Sequence, residues 1–305
     1  MTKISRRAVL LGTLATAGCA GASETARPGP TTSSAAAAPP STPPVTPSAT
    51  QTPSPTPSLT QTPARAPLPS LEEITQRYAG RTPSEWGTDV SGVVSRLDDR
   101  DGSTGSGSGV ALTFDACGGG GEGDGYDAAL IDLLRDLEVP ATLFLNARWI
   151  LAHPSLAAEL ADDPLFLVAC HGNRHVPLSV QGRDAYGIRG TASIGEVYQE
   201  LTGNVDWFVE HTGAPPLFTR PGTAHQDDVA AAIAVDLGMP IAGFSVNGDG
   251  GATFSAGQVR DTLLTVGPGD IVLAHLNRPG GGTAEGCAQA VPPLLERGVE
   301  FVTLA

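Results

Sequence analysis

From residue 110 to residue 304 the chain repeats one unit: a short apolar run, then a stretch in which apolar residues recur at helical spacing. Runs at 110–114, 141–145, 165–169, 217–219, 241–245, 271–274 and 301–304 read as strands. Stretches at 126–137, 155–161, 194–211, 227–237, 256–265 and 284–297 read as helices. In the first of these helices Leu130, Leu133, Leu134 and Leu137 fall on one side. Helical crossovers between strands return the chain to the same sheet end, so neighbouring strands run parallel. About seven parallel strands covered by helices follow, either closed as a barrel or open and doubly wound. Periodicity alone does not choose between the two, and no internal repeat suggests a solenoid or propeller.

The polar residues are distributed more selectively. Asp115, His171, Arg220, Asp249 and His275 each stand just past the end of a predicted strand. In α/β barrels that C-terminal rim is where active sites are assembled. His171-Gly-Asn-Arg-His175 directly follows the strand ending at Cys170, and two imidazoles four residues apart can converge on one metal. Gly172 and the following Val176-Pro177 favour a shaped loop there over a regular helix. Taken singly, each residue has a plainer use: Asp115 as a loop or capping carboxylate, the histidines as unrelated surface or core groups.

Taken in order, Thr113-Phe114-Asp115, His171 with His175, Arg220-Pro221, Asp249 in Val246-Asn-Gly-Asp-Gly, and Leu273-Ala274-His275 resemble the motif series of the NodB-homology polysaccharide deacetylases. That series reads Thr-Phe-Asp-Asp, His-Ser/Thr-x-x-His, Arg-Pro-Pro, an Asp-bearing turn and Leu-x-His. The resemblance spans roughly residues 110–305 and implies a distorted (β/α) barrel. It makes His171 and His175 ligands of a divalent metal, zinc by donor type, that polarises an acetamide carbonyl and activates water. Asp115 is then the general base, Arg220 the cation that keeps it ionised, His275 the acid that protonates the departing amine, and Asp249 the group that orients His275. Acetate and a free amino sugar on peptidoglycan or a chitin-like glycan are the implied products. The same chemistry could act on O-acetyl esters, and a degenerate domain could bind glycan without turnover.

One position departs from the motif. The family's second aspartate, its third protein ligand, is Ala116 here. The site must then use two histidines with water, recruit Asp115, or draw a ligand from elsewhere. His225, Asp227 and Asp228 could serve, although Asp227 and Asp228 also suit a helix start. Cys117 could serve too, or could form a disulfide with Cys170. The run Gly118-Gly-Gly-Gly-Glu-Gly-Asp-Gly125 lacks the Lys-Ser/Thr of a phosphate loop and reads as a flexible rim loop or lid. Tyr186 and Trp149 are candidates to stack on sugar, whereas Trp207 fits an apolar helical face.

The N-terminal part is of another kind. Lys3, Arg6 and Arg7 precede an apolar run at 8–17, too short to span a bilayer, and Ala17-Gly18-Cys19 resembles a lipobox. Ser5-Arg6-Arg7 also resembles a twin-arginine signal. Residues 20–69 hold 13 of the 26 prolines and cannot bury a core. The expected organisation is a signal peptide at 1–19, a disordered Pro/Ser/Thr-rich linker at 20–70, a lead-in segment at 71–109 and a catalytic domain at 110–305. Export with lipid attachment at Cys19 to the outer face of the membrane is expected, the alternative being a secreted protein. A formal charge of −14 argues against nucleic acid as a partner. Cys117, Cys170 and Cys287 are odd in number, so in an oxidising compartment at least one stays free or bridges to another chain.

Overall fold

A computed structural model of the chain describes residues 68–100 and 109–305. The expected signal peptide, nearly all of the linker, and the polar loop at 101–108 lie outside the described residues. The main sheet contains β1 (Val110–Ala116), β2 (Ala141–Leu145), β3 (Phe166–Cys170), β5 (Val246–Asn247), β6 (Ile271–His275) and β7 (Phe301–Val302), while β4 (Ile241–Ala242) lies just before β5. Its order is β5-β6-β1-β2-β3, with β7 beside the start of β1, and every pairing is parallel. Thr219 forms parallel bridges to Cys170 on one side and Ile241 on the other. The sheet thus runs on from β3 through Thr219 to β4, whose chain leads back into β5, and the strands close as a distorted barrel.

Two staves are shorter than the apolar runs suggest. Residues 217–219 contribute the bridges at Thr219 and no longer strand, because Pro215, Pro216 and Pro221 flank them and supply no N–H to a ladder. The 241–245 run is split between β4 and β5. Val93–Val94 pair in parallel with β4, and Gly243 N–H donates to the Val94 carbonyl at 2.9 Å. A Cβ at Gly243 would lie 2.7 Å from the Val93 side chain, so glycine permits this insertion. Beyond it, Ser245 N–H turns to the Ile271 carbonyl, and the chain joins β6.

Alternation along β1 sets the two layers. Val110, Leu112, Phe114 and Ala116 belong to the large cluster that includes Leu130, Leu134, Val291 and Leu294 of the helices Ala128–Asp136 and Thr283–Glu296. Ala111 belongs instead to a cluster of strand and loop residues, with Phe144, Ala169, Phe218, Ala242 and Ile271, which fills the barrel interior. Thr113 and Asp115 share the inward row.

The helix Leu71–Tyr78 starts with a capping box between Ser70 and Glu73, and Ile74 and Tyr78 pack with Val197, Leu201, Ala230 and Ile233. Trp86–Gly87 pairs antiparallel with Gln226–Asp227. The predicted helix at 194–211 is two, Ile194–Thr202 and Val205–Thr212. Gly203 breaks it where a Cβ would lie 2.7 Å from the Asn173 side chain, so the interruption lets the His171–His175 loop approach. Among the described residues no helix is long and apolar enough to cross a membrane.

Candidate active site

The register places Asp115 of β1 opposite His275 of β6 at one end of the barrel. His171 follows β3, and Arg220 N–H donates to the Cys170 carbonyl at 2.8 Å, so four strand ends deliver their polar residues to one rim. His175, Tyr186, Thr223, Phe244 and Asn247 join Asp115, His171 and His275 around a cavity of about 340 Å³. Asp115, His171, His175 and His275 therefore line one cavity, and Arg220 and Asp249 bond to Asp115 and His275 from behind it.

Arg220 lies inside the barrel with no exposed surface. Its Nη1 donates to Asp115 Oδ1 and to Thr113 Oγ1, each at 2.8 Å, its Nε to the Ala242 carbonyl at 3.1 Å and its Nη2 to the Gly243 carbonyl at 2.9 Å. Its guanidinium carbon lies 4.1 Å from the Phe144 ring centre. Burial opposes ionisation of Asp115, but Arg220, His171 and His275 outweigh it and hold the carboxyl below the usual range.

The tautomer of His171 follows from its partner. Its Nδ1 lies 2.8 Å from the Arg220 carbonyl oxygen, which can only accept, so Nδ1 carries the proton and donates. Nε2 faces the cavity, 3.8 Å from Cys117 Sγ and 3.6 Å from Asp115 Oδ2, and in the neutral ring it carries the lone pair. The His175 ring stands edge-on to His171 with centres 4.8 Å apart. Cys117, His171 and His175 each offer a donor atom, all within 4.8 Å of one another.

His175 has φ 63°, a left-handed conformation that costs a non-glycine residue about 1–3 kcal/mol. Its surroundings determine it. Glu200 Oε1 accepts from the backbone N–H groups of Asn173, Arg174 and His175 at 2.8–3.0 Å, and Arg174 Nε donates to Glu200 Oε2 at 3.1 Å. A Cβ at Gly222 would lie 2.3 Å from the His175 carbonyl carbon, so glycine is needed where the family motif has its second proline. Asn146 Nδ2 donates to the carbonyls of His171 and Gly172 at 2.8 and 3.0 Å. Sequence reading missed Glu200 and Asn146. Glu200 had a signal, since it is a carboxylate beside Val197 and Leu201 on the buried face of its helix.

Across the cavity, His275 Nδ1 donates to the Asp249 carboxylate at 3.1 Å, and its backbone N–H donates to Asp249 Oδ2 at 2.7 Å. Asp249 also accepts from Thr283 Oγ1 and Ala252 N–H, both at 3.0 Å. Burial disfavours the imidazolium, yet the hydrogen bond to Asp249 and the nearby Cys117 raise His275 well above the ordinary imidazole range. Asp249 is held below its usual value, burial being outweighed chiefly by His275. At Cys117 burial likewise opposes charge, and the imidazoles of His171, His175 and His275 outweigh it, so the thiol ionises well below its normal range.

Other candidate ligands lie elsewhere. Asp227 caps the helix Asp228–Asp236, accepting from Ala230 N–H and Val180 N–H at 2.8 Å each. Asp228 accepts from Ser84 and Glu85, and His225 Nδ1 donates to the Thr223 carbonyl at 2.7 Å. Cys117, Cys170 and Cys287 are free, and burial pushes the last two thiols up to about 11 and about 12. The glycine run after Cys117 is packed in place: Gly118 N–H donates to the Gly123 carbonyl, Asn277 Nδ2 donates to the same oxygen, and Arg278 pairs with Glu122. Trp149 is buried with Nε1 donating to the Gly125 carbonyl, and Trp207 packs against the core. Tyr186, 81% exposed, is the candidate stacking aromatic at the cavity.

Residues 102–242 match the family model for polysaccharide deacetylase. This part of the chain is similar to the polysaccharide deacetylase family. No curated protein matches the chain by sequence. The chain is similar in fold to the Bc1960 peptidoglycan N-acetylglucosamine deacetylase, at 23% identity and TM-score 0.53, over 65% of this chain and 86% of that one. It is similar to BA3943 of Bacillus anthracis, a CE4 family pseudoenzyme, at 21% identity and TM-score 0.53, over 64% and 63% of the two chains. A family 4 acetyl xylan esterase from Clostridium thermocellum, solved with a cobalt ion, is similar at 20% identity and TM-score 0.50, over 64% and 87%. Asp249 and His275 lie beyond the residues the family model matches, yet the fold returns them to the same rim as Asp115.

Proposed function

We propose that the domain is a metal-dependent hydrolase that removes N-acetyl groups from a cell-wall or related polysaccharide. The observation that carries this reading is the pairing of opposed roles across one cavity: Asp115 held ionised by Arg220, and His275 held protonated by Asp249. The donor set fits a metal, because His171 is fixed with Nε2 free and His175 converges on it. A divalent cation held by these two histidines, zinc by donor type, supplies Lewis acidity toward an acyl oxygen and toward water when bound.

The chain's own residues divide the remaining work. Asp115 accepts the proton of the attacking water as its oxygen bonds to the acyl carbon. His275 gives its proton to the sugar nitrogen as the carbon–nitrogen bond breaks, and acetate and a free amine leave. Asp249 keeps the imidazole charged and aimed, and Arg220 keeps Asp115 ionised in a buried setting. Tyr186 at the mouth offers an aromatic face to a sugar ring.

Acetate release by metal-loaded protein from N-acetylated glycan, set against acetylated xylan, tests the substrate. Release from the amide, abolished in Asp115→Asn, is expected; release from the ester alone reassigns the substrate to O-acetyl groups. Glycan binding with no acetate from either makes the domain a glycan-binding relative, a reading that Ala116 favours. We also propose that the protein is exported and held by lipid at Cys19, with the Pro-rich segment as a tether. Mass spectrometry of the mature N-terminus tests this, and an unmodified start downstream of Cys19 overturns it.

A further inference from the structure

We propose that Cys117 is the third protein ligand of this metal, a thiolate in the place of the carboxylate that Ala116 lacks. The inference rests on the metal-dependent reading above and deepens it. Ala116 is the last residue of β1 and lies on the outward row, fully buried in the apolar layer. Cys117 is two residues past Asp115, so strand alternation returns its side chain to the cavity face. The chain then leaves at once: Gly118 has φ 69°, and a Cβ there would lie 2.4 Å from the Trp149 backbone nitrogen. The backbone carrying the sulfur is thereby fixed by close packing.

Distances fit ligation. Metal bonds of about 2.3 Å to sulfur and about 2.0–2.1 Å to imidazole nitrogen put tetrahedral sulfur and nitrogen neighbours about 3.6 Å apart. Cys117 Sγ and His171 Nε2 are 3.8 Å apart, and His175 completes a set of donors within 4.8 Å. The other candidates have other uses. Asp115 Oδ1 is committed to Arg220, and Oδ2, 3.6 Å from His171 Nε2, is the oxygen that the proposed base role needs, while the donor set within 4.8 Å is Cys117, His171 and His175. His225, Asp227 and Asp228 have the local partners described above.

The same sulfur also lies near the His275–Asp249 pair, a disposition that would suit a cysteine nucleophile. A nucleophile, however, gives no use to the fixed Nε2 of His171 or to the convergence of His175 upon it. Ligation uses both. A thiolate among the ligands also shifts preference toward zinc, cobalt and cadmium and away from magnesium and manganese.

The test is the absorption spectrum of full-length protein stripped with a chelator and loaded with cobalt(II). Wild type is expected to show a sulfur-to-cobalt charge-transfer band in the near ultraviolet. Cys117→Ser should lose the band, and Cys117→Asp should keep cobalt, with its visible ligand-field bands, while lacking the sulfur band. A wild-type cobalt complex with no sulfur band, and undiminished affinity in Cys117→Ala, would overturn thiolate ligation while leaving the two-histidine site in place. Failure of the wild type to bind cobalt or zinc at all would sink the metal-dependent reading itself. Turnover by chelator-stripped protein, with an acyl group trapped on Cys117, would make the residue a nucleophile and overturn its role as ligand.

Discussion

Asp115 and His275 are register partners on adjacent parallel strands, so a carboxyl and an imidazole stand side by side at one barrel end. Their environments push them in opposite directions, Asp115 toward the carboxylate and His275 toward the imidazolium. The sign of the pH dependence follows. An acid that donates a proton fails as pH rises through its folded value, which for His275 lies well above the usual imidazole range.

Asp249→Asn removes the charge that raises His275. The basic limb of the kcat/KM profile for acetate release should move down toward about 6.5, the ordinary imidazole value. A basic limb that stays in place would show that His275 is not the group that titrates.

Arg220→Met should destabilise the domain by about 3–5 kcal/mol, because it leaves Asp115 buried with its principal cation gone. Adding Asp115→Asn should recover part of that loss, as read by urea unfolding. Asp115 is depressed in the folded state, so its stabilisation is full above the usual carboxyl value of about 3.9. That stabilisation disappears as pH falls through the lower folded value, and the gap between wild type and Asp115→Asn should close over that range.

Glu200→Ala unties the loop that presents both histidines. Three backbone N–H groups lose a charged acceptor, which costs about 1–3 kcal/mol. Metal affinity measured by competition with a chromophoric chelator should fall about 10–100-fold, since Glu200 supports the ligands without touching the cation.

Tyr186→Ala should raise KM for polymeric glycan while leaving kcat and the unfolding midpoint unchanged, because the ring is exposed and carries no core packing. Equal KM for both proteins would remove Tyr186 from the substrate path.

The α/β alternation and the rim residues were legible because each rests on a local signal, a short apolar run followed by one polar residue. Splitting of the 241–245 run was not legible. It depends on Val93–Val94, which arrive from far away in sequence and displace the chain at Gly243. The break at Gly203 likewise involves the Asn173 side chain, distant in sequence, which a Cβ there would meet at 2.7 Å. Asp227 and Asp228 followed the capping chemistry that such residues usually serve. The thiol beside the histidines could be weighed as one of several candidates, but choosing among them required distances. Glu200 was hidden because its helical position looks apolar until the loop it holds is seen.

The family match begins at residue 102, but the folded body does not. Val93–Val94 lie beside β4, and Ile74 and Tyr78 fill a cluster shared with helices from the middle of the chain. A recombinant fragment cut at the family boundary should therefore come out insoluble, with Ile241 and Ala242 left as a bare edge. The family match stops short of the folded unit at both ends; the unit that must be expressed, crystallised or grafted onto another anchor starts some thirty residues earlier, at about Leu68, so that the Ser70 cap is kept.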